Sequence, residues 1–112
     1  MSIQKTEKFP FQSRFSLIPL YITPPAYLAE NMVSRSSKHQ GVDLPDRFWN
    51  TDRWKRDFLL QLRFATSLLK LYSIEAIIRA LRSKAGKNIY SLAAKWLDPL
   101  IREEQKKLDK EN

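Results

Sequence analysis

The chain has no cysteine and only one histidine, His39, in 112 residues. Without thiols there is no disulfide framework and no thiolate metal site. His39 sits among Ser, Lys and Gln, and one imidazole with no carboxylate beside it does not make a zinc site. Glycine is almost as scarce, Gly41 and Gly86 being the only two. That excludes a P-loop and a dinucleotide fingerprint. No nucleophile is paired with a base along the sequence. The densest acids, Asp43, Asp46, Asp52 and Asp57, interleave with Arg47, Arg53, Lys55 and Arg56, so no hard metal such as Mg²⁺ is expected there. The expectation is a non-enzyme with no catalytic residues, no cofactor and no metal.

Long hydrophobic runs are missing too. The longest mainly apolar stretch, residues 15–22, is broken by Ser16 and Pro19 and is too short to span a bilayer. The opening MSIQKTEKFPFQSRF lacks the apolar region and cleavage site of a signal peptide. A soluble cytoplasmic protein with no membrane partner is expected. Acid is also short in one place: between Gln61 and Trp96, Glu75 is the only one.

What is present is enough for a core. The chain is 43% hydrophobic and 12% aromatic, which suits one small folded domain, residues 1–112. Twenty basic residues against twelve acidic ones give a formal net charge of +8. Residues 46–87 hold ten of the basic residues and only four of the acids, whereas residues 88–112 are balanced at five of each. A basic excess concentrated mid-chain points to an anionic partner, nucleic acid first.

The segment most strongly patterned is TDRWKRDFLLQLRFATSLLKLY, residues 51–72. It has no Gly or Pro, and Thr51 or Asp52 can cap it. At about 100° per residue, Trp54, Phe58, Leu62, Ala65, Leu69 and Tyr72 share a face. Leu60, Phe64, Leu68 and Leu71 cover most of the rest. The periodicity predicts a helix buried at the centre of an all-α fold, exposing one narrow polar line of Arg53, Arg56, Arg63, Ser67 and Lys70.

Around that helix the reading is a bundle of four or five helices with an extended N-terminal arm. In residues 1–23, Phe9, Phe11, Phe15 and Leu17 alternate with polar residues, while Pro10 and Pro19 break regularity. They predict an arm or short edge strand that packs its aromatics on the helices, although such rings could also stack on bases. Residues 24–101 form the helical core. Thr23-Pro24-Pro25 starts a helix expected to reach about Ser34. A polar, solvated loop, SRSSKHQGVD, should follow, whose Arg35 and Lys38 could alternatively touch phosphate. Phe48 and Trp49 should dock a short connector on the core, with Trp54 a further anchor.

Ser73 caps a predicted amphipathic helix over residues 74–84, where Glu75 and Arg79 stand at pairing distance. Gly86 suits a left-handed cap, and Asn88 can open a last helix over residues 88–101, kinked or restarted at Pro99. Residues 102–112 read as a fraying, solvated tail.

The candidate nucleic-acid-binding set is Arg53, Arg56, Arg63 and Lys70 on one helix, Arg79 and Arg82 on the next, and Lys84 and Lys87 beside Gly86. Long cations on a rigid surface bind phosphate backbone by releasing counterions. A Gly-containing turn adds backbone N–H groups, and the helix dipole expected near Asn88 would help. Sequence-specific reading is not indicated. Residues 74–97 can be drawn as a helix–turn–helix, but the connector is long and the second helix offers few base-reading side chains.

Residues 62–101, LRFATSLLKLYSIEAIIRALRSKAGKNIYSLAAKWLDPLI, resemble the C-terminal helical region of the large subunit of type I-D CRISPR systems. More broadly, the chain looks like the small subunit of a Cascade effector complex. The distinctive part is Gly86-Lys87-Asn88-Ile89-Tyr90 followed by Pro99. The resemblance implies an antiviral-defence ribonucleoprotein subunit, packed in several copies along a guide RNA–target duplex beside other subunits. It also implies help in holding the displaced single strand without sequence preference. The alternative is a protein–protein adaptor or assembly subunit whose charge serves solubility. A helix–turn–helix DNA-binding regulator stands third.

Overall fold

The computed structural model of the protein describes residues 11–111. It is mostly helical, with a small hairpin that a strictly all-α fold would lack. Strand β1 (Phe11–Gln12) pairs antiparallel with β2 (Tyr21–Ile22), Phe11 opposite Ile22 and Gln12 opposite Tyr21. Then follow helix α1 (Pro24–His39), a 3₁₀ turn (Phe48–Asn50), α2 (Asp52–Leu69), α3 (Ile74–Arg82) and α4 (Leu97–Glu111).

The hairpin is the expected arm, and α1 holds it. Phe11 stacks on Tyr27 with centroids 4.2 Å apart. Glu30, fully buried, accepts from Ser13 Oγ at 2.5 Å and from the Arg14 N–H at 2.9 Å. A carboxylate out of water needs such donors. Phe9 lies outside the described residues.

Helix α1 starts where Thr23 and its two prolines place it, with Thr23 Oγ1 accepting from the Ala26 N–H. It does not stop near Ser34. It runs on to His39 because Ser34 and Ser37 are small enough to be buried against the fold, Ser37 Oγ donating to the Ser34 carbonyl. Arg35 and Lys38 are therefore helical, and the expected loop shrinks to a turn at Gly41, whose φ of 75° is left-handed.

The centre of the molecule is α1 rather than α2. Helix α1 buries Leu28, Ala29, Glu30, Met32, Val33, Ser34 and Ser37, whereas α2 buries only Trp54, Gln61 and Ala65. Leu60 and Leu71, expected in the core, are 43% and 71% exposed, and Leu59 beside them is 51% exposed. One apolar cluster joins Leu28 and Met32 of α1 to Ala65 of α2, Ile77 and Leu81 of α3, and Ile101 and Leu108 of α4. A second gathers Val33, Phe48 and Trp54 with Phe15, Trp49 and Phe58 around them. Phe48 and Trp49 thus dock as expected.

Ser73 caps α3 by accepting from the Ala76 N–H at 3.2 Å, and Arg79 pairs with Glu75 at 2.9 Å. The helix expected over residues 88–101 fails in its first half. Residues 88–96 are irregular, and side chains of other elements take the Leu92 N–H and the Ile89 carbonyl there. Gln61 accepts from the Leu92 N–H at 2.8 Å and donates to Ser91 Oγ. Arg35 donates to the carbonyls of Leu81, Gly86 and Ile89 at 2.9, 2.8 and 3.1 Å. Buried backbone groups need partners, and these side chains supply them without helix.

Helix α4 restarts with Pro99 in its first turn and continues to Glu111. The expected fraying tail is thus helical. Its Leu108 is buried, and Gln105 Oε1 accepts from the Ser73 N–H at 2.9 Å.

Candidate nucleic-acid interface

On α2, Arg56, Arg63 and Lys70 recur every seven residues. That spacing drifts only about 20° around an α-helix per step, so the three form one line about 21 Å long. All three are exposed, as is Arg53, whose guanidinium lies over the Trp54 ring at 4.9 Å from its centroid. Between them Asp52, Lys55, Arg56, Leu59, Leu60 and Arg63 line an open groove of about 560 Å³. Lys70 closes α2 and borders a separate depression beside Pro24 and Tyr72.

Charge pairing divides the molecule. Among the described residues, the ion pairs are Arg79 with Glu75, Arg79 with Glu111, Arg102 with Asp98, and Lys107 with Glu104. Every one lies on α3 or α4. None involves a cation of α2.

The remaining candidates are elsewhere. Arg79 is held by two carboxylates, and its hydrogen bond to Glu111 raises its pKa above the ordinary value. Arg82 is exposed and lines a cleft with Tyr27, Asn31 and Arg35 of α1. Lys84 and Lys87 are exposed in the turn after α3. Arg82, Lys84 and Lys87 do not line the groove on α2.

The turn does not offer its N–H groups to an anion as expected. The Gly86 N–H donates to the Ser83 carbonyl and Oγ, and the Lys87 N–H to the same carbonyl. No helix begins near Asn88, so no dipole points there. The second helix of a helix–turn–helix is missing for the same reason. Gly86 also lacks the left-handed φ of a cap. A Cβ on it would stand 1.8 Å from the Ala80 carbonyl oxygen, so close approach is what requires glycine.

Arg35, expected in a solvated loop, instead faces inward. Burial lowers its pKa from the ordinary value. Its three carbonyl partners stand in for an acid, including that of Leu81 in the last turn of α3, where a cation complements the dipole.

Lys55 was outside the expected set because it stands about 100° around the helix from Arg56. The exposure of Leu59 and Leu60 widens the strip enough to include it. Beside the groove, a cavity of about 170 Å³ is lined by residues that include Met32, Trp54, Asp57, Leu60, Gln61 and Tyr90. Leu60 borders both. Among the described residues no group of His, Asp and Glu is placed to hold a metal ion, and no helix is long and apolar enough to cross a membrane. Comparison with protein families, curated proteins and solved structures gives no match.

Proposed function

We propose that the protein is a non-catalytic nucleic-acid-binding subunit that holds a phosphate backbone along α2. The observation that carries this reading is the segregation of charge. Among the described residues none of the α2 cations has an ion-pair partner, while three of the six cations on α3 and α4, Arg79, Arg102 and Lys107, do. Solvation alone gives no reason for that division, since Asp52 and Asp57 lie on the same helix as Lys55, Arg56 and Arg63. Phosphate contacts at Arg53, Arg56, Arg63 and Lys70 are sequence-independent and salt-sensitive. Arg82, Lys84 and Lys87 form a second cationic patch that a longer strand or a neighbouring copy can reach. The resemblance of residues 62–101 to the C-terminal helical region of a type I-D large subunit makes an RNA-guided effector complex the proposed setting.

The test is binding of the full chain to labelled single-stranded DNA and to an RNA–DNA duplex across a salt series. Arg63→Glu with Lys70→Glu should weaken binding similarly for unrelated sequences and flatten the salt slope. Unchanged affinity would remove α2 from the interface.

A second reading has its own support in the exposure of Leu59 and Leu60 within the groove. Leucines flanked by cations also suit a protein partner with an acidic amphipathic helix. Salt-insensitive behaviour, with no nucleic acid bound, would favour that adaptor role.

A further inference from the structure

The cavity beside the groove differs in kind from a phosphate-binding surface. At about 170 Å³ it slightly exceeds the ~150 Å³ apolar cavity that takes up a benzene molecule. One six-membered ring is the size of occupant it fits, so a purine would enter by the six-membered ring that carries its pairing edge. Trp54 and Tyr90 contribute to its wall, with Met32 and Leu60 adding apolar surface. Both rings are backed. Arg53 lies over Trp54, and His39 stacks on Tyr90 with centroids 4.3 Å apart. They are held before anything enters, which lowers the cost of ordering on binding.

The polar lining narrows the class. Gln61 already uses its amide on Leu92 and Ser91. Ser36 Oγ accepts from Gln40. Asp57 also lines the cavity, and it makes no hydrogen bond or ion pair with another described residue. An ionised carboxylate only accepts, through two oxygens. Among the bases, guanine presents two adjacent donors, N1–H and the 2-amino group, on its pairing edge. Uracil and thymine flank their one donor with acceptors, and adenine and cytosine set a donor beside an acceptor. Unstacked bases are read on this edge while resting against aromatic side chains.

We propose that this cavity is a base-binding subsite that takes one unstacked guanine from a single strand held by its phosphates on α2. The inference rests on the phosphate-binding reading of α2, and it adds a base preference to an otherwise sequence-independent contact. Because Leu60 borders both spaces, a nucleotide whose base enters the cavity leaves its phosphates at the Arg56–Arg63 groove.

The experiment measures binding of the full chain to four labelled strands: thymine only, and thymine with one central guanine, inosine or adenine. Inosine keeps N1–H and lacks the 2-amino group. The guanine strand should bind about tenfold tighter than the thymine strand, as a bidentate base contact allows. Inosine should lose most of that gain. Asp57→Asn replaces one acceptor by a donor, so preference should move from guanine to adenine. Comparison is made among strands for each variant, since removing a negative charge strengthens all binding. Equal affinity for thymine and guanine strands would overturn the subsite and leave the phosphate reading standing. A guanine preference unchanged in Asp57→Asn would also overturn it. Failure of every strand to bind at low salt would overturn both.

Discussion

Arg35 is the residue whose role is furthest from its setting in the sequence. It sits in SRSSKHQ, among polar neighbours, yet ties α1 to three carbonyls that are 46, 51 and 54 positions away. Arg35→Ala leaves those carbonyls short of a charged donor and is expected to cost about 2–4 kcal/mol. Arg35→Lys should recover only part of this, because an ammonium cannot fork to three acceptors in a plane. Urea unfolding monitored by tryptophan fluorescence reads both. Gly86 acts within reach of the same contacts. Gly86→Ala drives a methyl into the Ala80 carbonyl and should cost about 3 kcal/mol. Gly41→Ala meets nothing within 4 Å, and should cost only the left-handed backbone penalty of about 1–2 kcal/mol. A reversed order of the two glycine variants would refute the close-approach explanation.

At the scale of elements, local signals did well where local chemistry decides. Thr23 with Pro24 and Pro25, Ser73 with Glu75, and Pro99 each mark a helix start that the structure contains. They succeed because a cap and a missing N–H act within one turn. The central helix was legible as a helix and illegible as a position. Leu60 and Leu71 read as core, but α1 occupies the centre and leaves them at the surface. Residues 88–96 have the apolar spacing of a helix, but Gln61 takes the Leu92 N–H and Arg35 the Ile89 carbonyl. No window of sequence contains those partners.

The candidate site was legible in the same partial way. Arg56, Arg63 and Lys70 were visible as a line from periodicity alone, whereas the cavity joining Asp57 to Tyr90 exists only after folding. Arg79, paired twice, should contribute little to phosphate binding. Arg79→Gln is expected to leave affinity for single-stranded DNA within about twofold, against a clear loss for Arg63→Gln. Anisotropy titrations at fixed salt separate these outcomes.

At the scale of the whole molecule, the balanced C-terminal charge and the unbalanced middle correspond to different surfaces. Helix α4 spends its acids on neighbours in α3 and α4, and it closes the core with Leu108. Leu108→Ala should therefore cost about 2 kcal/mol, and removal of residues 102–112 should lower the melting temperature further by also losing the Gln105 contact to Ser73. A true tail would tolerate either change. With five acids and four bases on α4, the positive field of the molecule arises mainly from α2 and the turn after α3.

The salt dependence of single-strand binding tests that claim most directly. Each phosphate neutralised contributes about 0.7 to the slope of log affinity against log salt for a single strand. Arg56→Gln combined with Arg63→Gln should therefore flatten the slope by about 1.4. The paired-cation control, Arg79→Gln with Arg102→Gln, should leave it unchanged. Equal flattening by both variants, or by neither, would contradict a phosphate-binding role for α2.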